Sequence, residues 1–234
     1  MTLRAAGLRA PDGLQFVAVG GARVEQPQLL LARSLGIPAY QGYGLTECGS
    51  VVSLNRPDDD GDDAGLPLPH VRVAIVDDEI VVTTRAFLGY LGDVARKPGV
   101  PYSTGDLGYV AANGHVHLAG RRKNLLITSF GRNVSPEWVE SILLAQPEIA
   151  QAVVAGEAQA ALSAVLVPLP GLPPVALDAA VQRANAQLPD YARIGHWVAS
   201  SPFSLSNGLA TGNGRPVRSK ILDHFAVDLA AGPL

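Results

Sequence analysis

Apolar residues along this chain come in short runs fenced by glycine and proline, and their spacing changes from one segment to the next. Residues 14–19 (LQFVAV) form a continuous apolar run between Gly13 and Gly20, which predicts a buried strand. After Gly20-Gly21-Ala22, residues 26–35 place Leu29, Leu30, Ala32 and Arg33 in a helical pattern that Gly36 and Pro38 end. A second strand near residues 38–41 leads into Gly42-Tyr43-Gly44. Strand, helix, strand is the signature of a βα unit from a larger α/β layer. Residues 56–69, with DDDGDD at their centre, read as a solvated acidic loop. Beyond it VRVAIV and EIVV alternate around Asp77-Asp78, and LGYV and HVHLAG alternate around Asn113-Gly114, so two hairpins are predicted. Asn-Gly favours the paired positive φ angles of a type I′ turn. Residues 70–118 are expected to form a small strand-rich subdomain.

After Arg121-Arg122-Lys123 the texture changes. The apolar run LLIT is broken by Gly131, and Ser135-Pro136-Glu137 opens a helix over 135–146, with a hydroxyl at the N-cap and proline at the first helical position. Two β-rich runs, 150–155 and 162–167, flank GEAQAA; the proline-rich PLPGLPPV leads to a helix over 176–188. A strand at Trp197-Val198-Ala199 and a helix over 217–230 follow. The expected result is helices against a three-stranded sheet. The fold class is therefore α/β plus α+β: the end of a large α/β domain with its strand-rich subdomain over 1–122, then a small α+β domain over 123–234.

Composition narrows the function. The 234 residues are 47% hydrophobic and 17% charged, the balance of a globular chain with a substantial core. A net charge of −3 offers nothing to attract nucleic acid or an anionic membrane. The single cysteine, Cys48, excludes an internal disulfide and fits a reducing compartment. No apolar run is long enough to span a bilayer, so a soluble, cytoplasmic protein is expected.

Several candidate sites fail on their chemistry. DDDGDD lacks the spacing and terminal glutamate of an EF-hand loop. His115 and His117 alternate on one face of a strand without a third ligand, and read as surface residues. Cys48 has no local histidine base and reads as a packed small residue. NGLATGNGR is glycine-rich but is not a P-loop. Ser103-Thr104-Gly105-Asp106 holds more promise. It is expected to be a compact turn, with Gly105 allowing a sharp bend that leaves the Asp106 carboxylate projecting, able to accept the paired hydroxyls of a ribose. Taken alone, such an aspartate is more commonly a turn cap.

Three motifs then occur in order: Tyr43-Gly44-Leu45-Thr46-Glu47; Ser103 to Asp106; and Gly120-Arg121-Arg122-Lys123 followed by a glycine loop and Val134-Ser135-Pro136-Glu137-Trp138-Val139-Glu140. Together they resemble the adenylate-forming acyl ligases, the superfamily of acyl-CoA synthetases, luciferases and nonribosomal peptide adenylation domains. The resemblance implies ATP-dependent formation of an acyl-adenylate from a carboxylic acid substrate, and transfer to a thiol such as CoA or another phosphopantetheine. It implies that Gly21 and Ala22 pass along the adenine, Tyr43 stacks on it, Asp106 holds the ribose, Arg121 reaches the ribose or the α-phosphate, and Thr46 donates to the α-phosphate. Glu47 would be a ligand of Mg²⁺, a hard ion suited to carboxylate and phosphate oxygens. Lys123 falls at the hinge of a mobile small domain, and Gly131 borders the thiol tunnel.

Two departures accompany the resemblance. The family's Ser/Thr/Gly-rich loop ending in Pro-Lys-Gly, which holds the β- and γ-phosphates, has no counterpart in this sequence. Its C-terminal lysine is replaced in Asn213-Gly214-Arg215 by Arg215, a planar fork in place of a point donor. The expectation is a truncated AMP-forming ligase that pairs with a complementary N-terminal half or self-associates. The alternative is a catalytically silent fragment that binds AMP or a partner.

Overall fold

The computed structural model describes residues 10–59, 61–85 and 87–230. The chain divides into two compact units, Met1–Lys123 and Asn124–Leu234.

The first unit opens with β1 (Val17–Val19), α1 (Gln26–Ser34) and β2 (Ala39–Tyr43), β1 and β2 running parallel. Helix α1 starts at a reciprocal capping box between Glu25 and Gln28 and ends before Gly36, which takes φ 81°. It docks on β2 through buried Leu29 and through Arg33, whose guanidinium lies 4.5 Å from the Tyr40 ring centre while its Nε donates to the Ala39 carbonyl. Short strands β3 (Ser53–Leu54) and β4 (Leu66–Pro67) complete a sheet of order β1-β2-β3-β4. The run at 14–19 is thus a strand over only three of its residues, and it is not buried. Val17 and Val19 are half-buried and Phe16 is exposed, stacked 4.9 Å from Tyr40.

A second sheet is an antiparallel meander of β5 (Arg72–Val76), β6 (Glu79–Thr83), β7 (Tyr102–Val110) and β8 (Val116–Arg121). Tyr43, Cys48 and Val52 pack with Val71, Ile80, Val82 and Val116 in one cluster, so the two sheets share a core. The turns differ from expectation. Asp77 and Asp78 both take positive φ, the paired left-handed geometry of a type I′ turn. Asn113-Gly114 does not: only Gly114 is left-handed, at 85°. Gly114 N–H bonds the Ala111 carbonyl, and Ala111 N–H the His115 carbonyl, giving a wider loop closed by a single left-handed glycine.

The acidic loop is not simply solvated. Asp63 is buried, and its Oδ1 lies 2.9 Å from His115 Nδ1 and accepts the Gly65 N–H. Asp62 pairs with Arg23 at 2.6 Å, and the Asp63 carbonyl accepts from Asn55 and Gln41. His115 is therefore a buried anchor and not a surface residue. Residue 115 precedes β8, where the chain has not yet adopted the alternation that would turn it outward. His117 lies in β8, stacked 4.6 Å from Tyr109.

The second unit begins with the hairpin β9 (Leu126–Ile127) and β10 (Asn133–Val134), then α2 (Pro136–Leu144). Ser135 is the N-cap by position, yet its hydroxyl donates to Glu137 Oε2 in place of capping a helical N–H. Strands β11 (Ile149–Ala155), β12 (Leu162–Pro168) and β13 (Ile194–Ala199) form the three-stranded sheet, with α3 (Ala176–Asn185) crossing between the parallel pair β12 and β13. Strand β12 is central and buried on both faces, which explains its unbroken apolar run. Leu162, Ala164 and Leu166 face the core that includes α2 and α3 residues; Val165 and Val167 face Phe203, Ile221 and Leu229. The expected last helix is two: α4 (Arg218–His224) and α5 (Ala226–Ala230), parted at Phe225.

Candidate functional site

The site in the first unit assembles where β2 ends and where β7 and β8 lie side by side. Ser103 to Asp106 is part of β7 and not a free turn. Between the register pairs Val81↔Ser103 and Glu79↔Leu107, β7 carries extra residues, a bulge that Gly105 makes possible at φ 74°. Thr104 Oγ1 donates to the Ile80 carbonyl and the Gly105 N–H donates to Glu79 Oε1, so two adjacent residues of β6 pin the bulge. The bulge turns Asp106 inward: its side chain is only 8% exposed.

That buried carboxylate is the hub. Tyr43 at the end of β2 donates its phenol to Asp106 Oδ2 at 2.7 Å. Arg121, the register partner of Asp106 on β8, places Nε 2.7 Å from Oδ1. Burial, then the bond to Asp106, pushes the Tyr43 phenol far above its ordinary range, so it stays a donor at any working pH. Tyr43 is part of the core cluster, while Arg121 is 43% exposed and leaves a charged group at the surface of the hub.

Immediately after Tyr43 the chain makes a tight reversal. Thr46, Glu47 and Cys48 form one 3-10 turn, closed by Gly49 and Ser50, both left-handed. The reversal brings Gly44 against the Ser50 carbonyl, so close that a Cβ on Gly44 would stand 1.8 Å from that oxygen. Thr46 is exposed, and Glu47 half-exposed. Tyr90 donates its phenol to Glu47 Oε1 at 2.5 Å, and this bond holds the Glu47 carboxyl below its ordinary value, with Arg121 acting in the same direction. Cys48 is buried and its thiol is pushed up to about 11 by burial, which leaves it inert. Gly21, at φ 88°, and Ala22 are exposed in the loop after β1; the preceding Gly20 lies beside the Gly42 carbonyl of β2. Tyr43, Glu47, Asp106 and Arg121 thus interact directly or electrostatically, with Thr46 in the same turn.

The other expected site residues are placed elsewhere. Lys123 is exposed in a 3-10 turn (Arg122–Asn124) at the end of the first unit. Its neighbour Arg122, expected to be a solvated cation, donates to the Asp77 carbonyl at 2.6 Å and lies 3.4 Å from Glu79. Gly131 and Arg215 belong to the second unit. Gly131, at φ 70°, caps the β9–β10 hairpin by donating to the Thr128 carbonyl. Arg215 is exposed at the base of a glycine turn where Thr211 Oγ1 accepts its N–H. Tyr90 was not visible as a site residue in the sequence: its bond to Glu47 depends on how residues 87–101 fold back.

Could the groups this arrangement suggests fit? No cluster of three or more His, Cys, Asp or Glu able to hold a metal exists among the described residues. A hard divalent cation would therefore depend on Glu47 together with oxygens brought by a phosphate ligand, the usual mode for Mg²⁺. A carboxylate has about four acceptor positions, so ribose hydroxyls at Asp106 would share the carboxylate with Tyr43 and Arg121 or displace one of them.

Comparison with known proteins places the architecture. The AMP-binding enzyme family matches residues 2–86, and the AMP-binding enzyme C-terminal domain matches residues 123–231. The chain is 33% identical over 149 residues to the 2-succinylbenzoate–CoA ligase of Lactococcus lactis, covering 59% of this chain and 32% of that enzyme. It is 35% identical over 141 residues to the long-chain-fatty-acid–CoA ligase FadD15 of Mycobacterium bovis, covering 57% of this chain and 24% of that enzyme. The solved o-succinylbenzoate CoA synthetase of Bacillus subtilis, in complex with ATP and magnesium ion, superposes with a TM-score of 0.72 at 26% identity, covering 91% of this chain and 47% of that one. The chain belongs to the AMP-binding enzymes, with both of the family's domains matched, and the relatives it resembles are CoA ligases. The matched stretch spans about a quarter to a third of the length of these curated relatives. Among the described residues, no helix is long and apolar enough to cross a membrane.

Proposed function

We propose that this chain carries the nucleoside and α-phosphate side of an AMP-forming acyl ligase. Such an enzyme activates a carboxylic acid with ATP as an acyl-adenylate and passes the acyl group to a thiol such as CoA. The reading rests on one observation: in a chain matched by both family models, Asp106 is held by Arg121 and by Tyr43, which leads directly into the turn bearing Thr46 and Glu47. In this reading the loop at Gly21-Ala22 and Tyr43 border the adenine, and Asp106 and Arg121 address the ribose. Thr46 donates to the α-phosphate, and Glu47 contributes the protein ligand of Mg²⁺, which supplies charge neutralisation at the phosphate. The protein's share of catalysis is positioning and electrostatic stabilisation of developing charge. Lys123 serves as the pivot of the small domain, Gly131 lines the thiol path, and Arg215 stands in for the adenylation lysine.

A second reading, that the chain binds AMP or a partner chain without turnover, draws support from Arg215, a planar fork where the resemblance places a lysine. Pyrophosphate release from ATP with a panel of carboxylic acids separates the two. Acid-dependent release supports the ligase, whereas AMP binding without release supports the silent form. Asp106→Ala should weaken AMP by roughly 1.5–3 kcal/mol, the worth of charge-assisted bonds. Part of the change will appear as lost stability, because the substitution also strands the buried Tyr43 phenol. Calorimetric titration of Asp106→Ala beside a Tyr43→Phe control isolates the ribose contribution. If Asp106→Ala binds AMP as tightly as the parent, the assignment is wrong.

A further inference from the structure

Residues 87–101 form a long connection between β6 and β7 that is richly apolar yet exposed: Leu88, Tyr90, Leu91 and Val94 all face solvent. A connection of this length without regular structure usually has a task. This one is internally ordered. The Arg96 N–H bonds the Leu88 carbonyl at 2.7 Å, and the Asp93 N–H bonds the Tyr90 carbonyl at 3.0 Å. The Arg96 guanidinium donates to the Pro101 carbonyl and lies 5.1 Å from the Tyr102 ring centre. Phe87 meets both Tyr90 and Tyr102 edge-on, at 5.1 and 5.6 Å between ring centres.

The folded connection is tied to the β2 reversal at one residue only among the bonds described, and that residue is Glu47. Its carbonyl accepts the Phe87 N–H at 3.0 Å, and its carboxylate accepts the Tyr90 phenol at 2.5 Å. Backbone and side chain of the same glutamate are held from the same loop, by adjacent members of one aromatic cluster. A half-exposed carboxylate on a one-turn helix would otherwise sample several rotamers, and fixing it before a cation arrives removes that entropy cost from binding. One phenol bond uses only part of a carboxylate's acceptor capacity.

We propose that Tyr90 is a positioning residue. Through its hydrogen bond it orients Glu47 toward a phosphate-bound divalent cation, and the 87–101 connection exists in part to place that phenol. The proposal rests on the reading of Glu47 as the metal-binding carboxylate. It requires no proton transfer and no group beyond the cation and its phosphate ligand.

The test is binding of Mn²⁺ to the full chain with AMP present, followed by electron paramagnetic resonance of the free ion, in the parent, Tyr90→Phe and Glu47→Gln. Phenylalanine keeps the ring and its contact with Phe87 and removes the phenol, with its bonds to Glu47 and Tyr102. Tyr90→Phe should weaken Mn²⁺ by about three- to tenfold, the size expected when one hydrogen bond that fixes a charged group is lost. AMP affinity without metal should be unchanged, and the ¹³C resonance of the Glu47 carboxylate should shift at fixed pH. Should Tyr90→Phe bind Mn²⁺ as tightly as the parent or more tightly, while Glu47→Gln loses it, the positioning role is refuted and the Glu47 reading stands. Mn²⁺ affinity indifferent to Glu47→Gln overturns both.

Discussion

At the scale of single residues, the site depends on a few positions where space is already spent. Gly44 is the sharpest case. It lies between Tyr43, which holds Asp106, and the turn bearing Thr46 and Glu47, and a Cβ there would collide with the Ser50 carbonyl at 1.8 Å. The obstacle is backbone, not a side chain that could swing aside, so Gly44→Ala must open the reversal. A cost of about 1–3 kcal/mol or more is expected, seen as a lower denaturation midpoint together with weakened AMP binding. An alanine variant with the parent's midpoint would show that the reversal is looser than its contacts indicate. The motif residues Tyr43, Glu47, Asp106 and Arg121 were singled out by the resemblance to the adenylate-forming ligases, and the structure brings them into one network. Their partnership was not: Asp106 was expected to project from a turn, but the bulge turns it inward onto Tyr43 and Arg121. His115 was misread for a related reason. Period-two alternation was extended one residue past the start of β8, where the chain instead points the ring at Asp63. No local pattern marks Tyr90, because its bond spans 43 positions of sequence.

At the scale of elements, apolar runs located the strands and helices of the second unit well, since each buries a face against the sheet. Turn geometry was harder. The Asn-Gly dipeptide favours a type I′ turn, yet the loop spans residues 111–115 and is wider; the paired left-handed conformation falls on Asp77-Asp78 instead. The pairing of β12 with β13 in parallel was also illegible, because the length of the α3 connection permits either direction. One cross-element link was hidden as well. Glu140 of α2 accepts the Val154 N–H of β11 at 2.7 Å and pairs with Arg218 of α4 at 2.5 Å, while Arg218 also donates to the Val154 carbonyl. This triad ties both faces of the sheet together. Burial pushes the Glu140 carboxyl up to about 7, although Arg218 and the Val154 N–H pull the other way. With the folded value raised, the unfolded chain gives up this proton first. The stabilising contribution is complete below the ordinary value of 4.5 and is lost as pH rises through about 7. Urea midpoints across that window should therefore fall less steeply with pH for Glu140→Gln than for the parent. Parallel slopes in the two proteins would remove Glu140 as the source of the pH dependence.

At the scale of the whole chain, the two units differ in how completely they bury their apolar surface. The second unit encloses β12 between two clusters, one with α2 and α3 residues and one with α4 and α5 residues. Among the described residues the first unit has a smaller core, and its β1–β2–α1 corner leaves apolar side chains exposed. Parallel strand pairs are ordinarily covered on both faces, yet Phe16 is exposed beside β1, and Leu30 and Leu31 are about half exposed on α1. Among the described residues β1 stands at the end of its sheet and pairs with β2 alone. A terminal strand of a sheet next to exposed apolar side chains is the combination that promotes pairing with another chain. The purified protein is expected to self-associate, with an average mass that rises with concentration in sedimentation velocity. Leu30→Lys combined with Leu31→Glu places opposite charges on the exposed face of α1 and leaves buried Leu29 untouched, so folding should be preserved while the association weakens. The parent and the double variant need to be compared at matched concentration and salt, since the charges introduced are themselves screened. A parent that stays a monodisperse monomer over a wide concentration range would show that this corner is stable exposed, and that its apolar side chains need no covering chain.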